Sequence, residues 1–209
     1  MSYVPVFKSG IGSAPPWCEM RFFEIVEIPQ GTFHVFPRIS ENEMLFVVQG
    51  SGQAHTTISV DRIHAGAILD FPDRCDAVKM ICEKDILAVR ISGCWGTEIG
   101  SSGVFTLGSS SSPGNAGDPE PYPRNTVFDN HYHDFNEYWI ISGGRGEVVT
   151  ECTRFSVGGG DCVATEMGHH HDFPLVHETI KGVWFEGTLR GMKRLGHLWE
   201  HKHGPASPR

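Results

Sequence analysis

The sequence predicts an all-β fold in two similar domains, and three observations carry that reading. Short runs rich in Val, Ile and Phe alternate with turns bearing the chain's 25 glycines and 13 prolines. A helical period of three to four residues is not sustained. The pattern of the first half recurs in the second without a gap.

Residues 1–20 read as irregular, with Pro15 and Pro16 as a breaker. Runs at 21–28, 32–36, 44–49, 53–60, 67–71, 76–82 and 86–92 then read as successive strands, with a tight turn at Gly50, Ser51 and Gly52. Residues 96–125 change character: serines and glycines give way to Pro119, Pro121 and Pro123, a linker composition. The domains expected are therefore 1–95 and 126–209, joined by a linker at 96–125. The second domain opens with a strand at 126–133 and continues through 138–142, a hairpin turn at 143–146, 147–152, 161–165, 173–176 and 180–189. A basic, histidine-bearing tail begins at Arg190.

A shift of 94 positions, the distance from Glu43 to Glu137, superposes the halves. It brings Gly50 onto Gly144, Gly52 onto Gly146, Gly66 onto Gly160, Ile86 onto Ile180, Val89 onto Val183 and Gly93 onto Gly187. Most of these matches are glycines, which backbone geometry demands at tight bends.

Composition excludes several function classes. A net charge of -8 and a pI near 5.8 argue against nucleic acid or an anionic membrane surface as partner. The first ten residues lack the pattern of a secretion signal, and no run approaches the roughly 20 apolar residues of a membrane span. The expectation is a soluble cytoplasmic protein. Cys18, Cys75, Cys82, Cys94, Cys152 and Cys162 include no CxxC pair, so they read as reduced, mostly buried thiols.

The stretch from Asn130 to Trp139 carries the chemistry. His131 and His133 stand at i and i+2, which share one face of a strand, and Glu137 follows four residues later. Two imidazoles and a carboxylate form most of a site for a first-row metal. Further on, Gly160 leads through Glu166 and Gly168 to His169, His170 and His171.

Together these segments resemble the two signatures of the cupin superfamily. His131, His133, Glu137 and Gly144 fit the first, with Asn125 in place of its leading glycine. Gly160, Gly168 and His171 fit the second, with Glu166 in place of its proline. The resemblance spans the chain as two jelly-roll (double-stranded β-helix) domains in tandem, a bicupin. It implies one divalent ion per chain, held by His131, His133, Glu137 and His171. The ion could be Fe, Mn, Ni, Co or Zn, which this ligand set does not separate. The same shift of 94 places Pro37, Ile39 and Ala77 at the histidine positions of the first domain, where Glu43 alone remains. The metal is thus expected only in the second domain.

Around the ligands, Glu166 is a candidate acid or base at the rim, although an exposed loop carboxylate is the plainer reading. His169 shares the parity of His171 and could support it. Trp139 shares the face of Glu137 and could line a substrate cavity or simply be core. The HxxEH pattern at His197–His201 matches inverted zinc peptidases, but the flanking Gly196 and Gly204 leave barely two helical turns. Gly144 to Gly146, with Gly50 to Gly52, read as hairpin turns and not phosphate loops, since no helix follows. Cupins with such ligands include dioxygenases, decarboxylases and sugar-phosphate isomerases. The expectation is a metal-dependent enzyme on a small oxygenated molecule, a dioxygenase first. The alternatives are a sugar or sugar-phosphate isomerase and a non-catalytic small-molecule binder. The resemblance also implies a homodimer.

Overall fold

A computed structural model of the chain describes residues 6–8, 14–71, 75–151, 153–189, 199–200 and 207–208. All its regular elements are strands: β1 (Val6–Lys8), β2 (Met20–Ile28), β3 (Phe33–Pro37), β4 (Asn42–His55), β5 (Val60–His64), β6 (Ile68–Asp70), β7 (Ala77–Gly93), β8 (Ser102–Leu107), β9 (Glu137–Thr150), β10 (Thr153–Gly158), β11 (Asp161–Thr165), β12 (His171–Glu186), β13 (Trp199–Glu200) and β14 (Ser207–Pro208). Cys152, Arg190 and the histidines of the HxxEH pattern lie outside the described residues. Among the described residues no helix is long and apolar enough to cross a membrane.

The chain divides into two compact units. One comprises 9–14 and 19–95; the other comprises 1–8, 15–18 and 96–209. In the first, a sheet runs β2-β7-β4-β5, with β3 on β7 and β6 on β4. Its core gathers Phe36, Leu45, Val47, Met80, Ile86 and Ala88. In the second, the order is β1-β11-β9-β12-β8, with β10 on β9. There Trp139, Ile141, Val148, Val163, Phe173 and Ile180 pack together. Burying each such side chain contributes roughly 1.5–3 kcal/mol.

The 94-residue shift survives in three dimensions. Leu45 pairs with Arg90 across β4 and β7, and Trp139 with Trp184 across β9 and β12. Pro37 pairs with Ala77, and His131 forms an isolated bridge with His171. The second unit repeats the first strand for strand in its central ladder, so any difference in chemistry comes from the side chains.

Four expectations are corrected. The glycine turns at 50–52 and 143–146 are not hairpin turns. They lie inside the continuous strands β4 and β9, where the pairing shifts register. Gly50 (φ +91°) and Gly144 (φ +88°) form bulges that bend each strand without reversing it. A Cβ on Gly144 would lie 2.1 Å from the carbonyl oxygen of Thr179, so both φ and space require glycine there. Gly144→Ala is expected to cost at least about 1–3 kcal/mol, read as a lower urea midpoint. The expected strand pairs 76–82/86–92 and 173–176/180–189 are likewise single bent strands, β7 and β12.

Residues 126–133 are not a strand; apart from the bridge at His131 they run irregularly. The stretch 96–125, expected as a linker, contains β8, which pairs with β12 from Ile180 to Phe185. Its Val104, Phe105 and Leu107 supply apolar side chains that the surrounding serines and prolines obscured. Of the cysteines, Cys18, Cys75, Cys82 and Cys162 are buried and Cys94 is exposed.

Candidate metal centre and its cavity

His131, His133, Glu137 and His171 converge within the second unit, their ligand atoms all within 4.8 Å of one another. Glu137 opens β9 and His171 opens β12, so both stand at strand ends. His131 and His133 come from the loop before β9. Strand parity therefore does not aim these two imidazoles; backbone hydrogen bonds do. His131 and His171 exchange main-chain hydrogen bonds of 3.2 and 2.9 Å. Gly168 (φ +82°) donates its amide to the carbonyl of His133 at 2.9 Å, linking the loop to the second signature.

Each imidazole is oriented the same way. His131 Nδ1 donates to the carbonyl of Asp129 (2.7 Å), His133 Nδ1 to that of Phe135 (3.1 Å) and His171 Nδ1 to that of His169 (3.0 Å). A proton on Nδ1 leaves the Nε2 lone pair as the donor, which is the tautomer a metal ligand needs. His133 Nε2 and His171 Nε2 lie 2.9 and 2.8 Å from the same Glu137 oxygen, Oε2. The other oxygen, Oε1, accepts the indole N–H of Trp139 at 2.7 Å. Three nitrogens with fixed tautomers and one anchored carboxylate oxygen suit a divalent first-row ion.

Electrostatics agree with that fit. Burial, reinforced by the neighbouring His171, pushes His131 down to about 3, so it stays neutral above that pH and needs to expel no proton. Burial alone would raise the Glu137 carboxyl. The neighbouring His133 and His171 outweigh it and hold the group well below the usual carboxylate range.

Beside the cluster lies a cavity of about 250 Å³. Its apolar walls are Phe105, Leu107, Phe128, Trp139, Phe173 and Trp184, and its polar lining is Thr106, Glu137 and Glu186. The Trp139 and Phe173 rings stack at 5.8 Å, and Phe128 meets Trp139 edge-on at 5.2 Å. Gly103 lets the Trp184 indole cross β8, since a Cβ there would lie 2.2 Å from the ring. Burial, with the charge of Glu137 beside it, raises Glu186 to about 7.

Raised above its unfolded value, Glu186 destabilises the fold when ionised. Its cost is absent below about pH 4.5 and fully present above about 7. In chelator-treated protein, Glu186→Gln is expected to gain roughly 1–3 kcal/mol over wild type at pH 8, allowing for partial exposure. The difference should vanish by pH 4, and urea midpoints across that range would show it.

The remaining candidates are distributed as follows. Trp139 lines the cavity and holds Glu137. His169 contributes its carbonyl to His171, while its ring contacts the carbonyl of Glu166 at 3.2 Å. Neither Glu166 nor the His169 ring belongs to the cluster or the cavity lining. His170 turns away to Asp118 (3.0 Å) and Glu151 (3.3 Å), while His171 is the histidine that joins the cluster. Behind the site, buried Asp172 accepts from Tyr122 Oη (2.8 Å) and from Arg124, fastening the 120–126 segment to β12.

Sequence reasoning missed Glu186. Its register opposite Glu137 on β12 was a usable signal, since the shift of 94 aligns it with Ser92. It also missed how the first unit closes the equivalent place. There Glu43 accepts from Ile39 N (2.6 Å) and Ser40 N (2.7 Å), and Arg90 donates to it through Nε (2.8 Å) and Nη2. Arg90 also reaches Glu24 and the carbonyl of Pro37, and lies over the rings of Phe36 and Phe71. Arg90 is the counterpart of Trp184, so a guanidinium occupies what is cavity wall in the second unit.

Solved structures share this architecture. The chain resembles AerE from Microcystis aeruginosa (TM-score 0.56, 10% identity, 89% of this chain and 98% of that one). It also resembles an IolB-like protein from Salmonella typhimurium (0.57, 12%, 93% and 94%) and vicilin from Corylus avellana (0.58, 10%, 81% and 75%). No family model matches the chain. The chain has a cupin-like fold carrying a cluster of three histidines and one glutamate that could hold a metal ion. Within that class, the chain belongs to the family of the uncharacterized protein y4oW of Sinorhizobium fredii (strain NBRC 101917 / NGR234). The two are 41% identical over 209 residues, covering 98% of this chain and 94% of that protein.

Proposed function

We propose that the protein is a bicupin whose second domain holds one divalent ion on His131, His133, Glu137 and His171, and that it acts as a metal-dependent dioxygenase on a small oxygenated molecule. The observation carrying this reading is the convergence of four ligand atoms with every Nδ1 already committed to a carbonyl. An ion held there would supply a Lewis acid with positions left open to substrate oxygens and, if redox-active, a route to dioxygen. The chain does the rest. Trp139 fixes the Glu137 carboxylate, the carbonyls fix the imidazoles, and the aromatic walls exclude water from the reacting group.

The first domain is structural in this reading, because Arg90 neutralises the one carboxylate left at the equivalent position. The sugar-phosphate isomerase reading has less support. It needs cations to grip a phosphate, yet Arg145 is engaged by Glu178, Arg154 by Glu147 and Arg124 by Glu120 and Asp172. Among the described residues, no Arg or Lys lines the cavity.

Anaerobic purification, elemental analysis and oxygen uptake with catechols, diketones and flavonols test the proposal. Iron at one per chain with oxygen uptake is the expected result. Zinc without uptake would move the assignment to a lyase, an isomerase or a binder. Absence of any metal, with His133→Ala indistinguishable from wild type, would overturn the site.

A further inference from the structure

We infer that Glu186 and the aromatic walls around it form a subsite for a single-ring, uncharged aromatic molecule bearing a hydroxyl donor, and that the same subsite rejects anions. This rests on the metal-centre reading above for the position of the reacting group, but its own observations are separate.

Size is the first observation. The cavity of about 250 Å³ falls below the roughly 300–1,000 Å³ typical of sites for drug-sized ligands. A single ring fits within it.

Shape is the second. Trp139 and Phe173 are nearly parallel (23°), and the indole of Trp184 lies against Gly103 from the opposite strand of the ladder. Flat rings on several sides favour a flat guest through offset or edge contacts. A flexible polyol would lose its water to apolar walls and gain few partners for its hydroxyls.

Charge is the third. Two carboxylates, Glu137 and Glu186, line the cavity with Thr106, and among the described residues no Arg or Lys does. In the metal-free protein an anion entering would meet two acceptors and, among the described lining residues, no cationic donor. An ammonium would meet the cation that the proposed centre holds. A neutral ring with a hydroxyl avoids both costs. Glu137 is already committed, with Oε2 facing His133 and His171 and Oε1 holding Trp139. Glu186 is half-buried, its side chain packs against Gly100, and no hydrogen bond to its carboxylate is formed by the described residues. Its oxygens are therefore the acceptors left for a guest, one register position across from the metal ligand Glu137.

Glu186 is thus a specificity-determining residue: it orients the ring by one hydroxyl and leaves the opposite edge towards the histidines. A buried acceptor that demands a donor discriminates strongly, because a guest lacking the hydroxyl leaves the carboxylate unpaired.

Binding of catechol (1,2-dihydroxybenzene) tests this, measured by calorimetry and by quenching of tryptophan fluorescence in both chelated and metal-loaded protein. Wild type should bind catechol in both forms, with benzoate and inorganic phosphate failing to compete. Glu186→Leu should weaken catechol at least tenfold in the chelated form while leaving metal stoichiometry unchanged. Glu186→Gln should fall between the two, since its amide still accepts. Gly103→Ala, which displaces the Trp184 ring without touching the carboxylate, should also weaken binding, and circular dichroism would verify that each variant folds. Competition by benzoate or phosphate, or catechol affinity unchanged in Glu186→Leu, would overturn the inference. Catechol binding that depends on Glu186 in a protein that takes up no metal would uphold the subsite and sink the metal centre instead.

Discussion

Glu137→Gln protein is expected to lose the one divalent ion per chain that wild type is expected to take up. Glu137 is the single anionic ligand of the cluster, and its Oε2 sits within 2.9 Å of two Nε2 atoms. An amide removes the charge. It can also turn its NH2 towards the two nitrogens and occupy their lone pairs. Loss of an outer hydrogen bond to a metal ligand costs roughly 10–100-fold in affinity. Loss of the charged ligand itself should exceed that range, as read by titration with Zn(II) or Co(II) after chelation. Affinity in wild type should also fall as pH drops, because metal ligands must be deprotonated to bind. Glu43→Gln supplies the control: Pro37, Ile39 and Ala77 stand where the second unit has its three histidines, so metal stoichiometry should not change. Retention of one tight ion per chain in Glu137→Gln would refute the ligand assignment.

The second large effect is expected in the first unit. Arg90→Met should destabilise the protein by about 3–5 kcal/mol, because it strands the buried Glu43 carboxylate without its cation. Glu43 would keep the amides of Ile39 and Ser40, too few to balance a charge at 3% exposure. The double variant Glu43→Met/Arg90→Met should recover part of the loss. Recovery should be incomplete because those two amides then lose their acceptor. Urea unfolding of the full chain reads all three proteins. A single variant within about 0.5 kcal/mol of wild type would show that the ion pair does not hold the unit together.

These two predictions concern the same place in two copies of one pattern. Glu43 and Glu137 are equivalent in register, but one faces a guanidinium and the other three imidazoles. A metal centre and a fixed internal cation are alternative ways to satisfy a buried carboxylate. The choice is made by the residues at 37, 39 and 77 against 131, 133 and 171. It is also made at position 90 against 184, where Arg fills space that Trp leaves open.

Much of the site was legible because its information is local or periodic. The spacing of His131, His133 and Glu137, and of Gly160, Gly168 and His171, carries the ligand set in the order of the residues. The glycine register exposed the duplication because positive φ at Gly50, Gly66, Gly144 and Gly160 leaves little choice of residue. The class of fold followed from strand-length apolar runs.

What the sequence could not convey depends on partners far apart in the chain. Whether a glycine pair reverses a strand or bulges it is decided by the neighbouring strand: β7 and β12 run past Gly50 and Gly144 and keep the ladder paired. Serine- and proline-rich composition hid β8, whose existence rests on hydrogen bonds to β12. The convergence of the histidines arose from carbonyls at 129, 135 and 169, not from strand parity. The cavity, the Glu186 carboxylate at its wall and the Arg90 plug exist only once the strands are paired. The sequence by itself determined the all-β class, the repeat and the four residues of the cluster, because those are written in spacing. Tertiary structure alone decided which carboxylate meets a cation and which meets a cavity, because that depends on which side chain stands opposite across a strand.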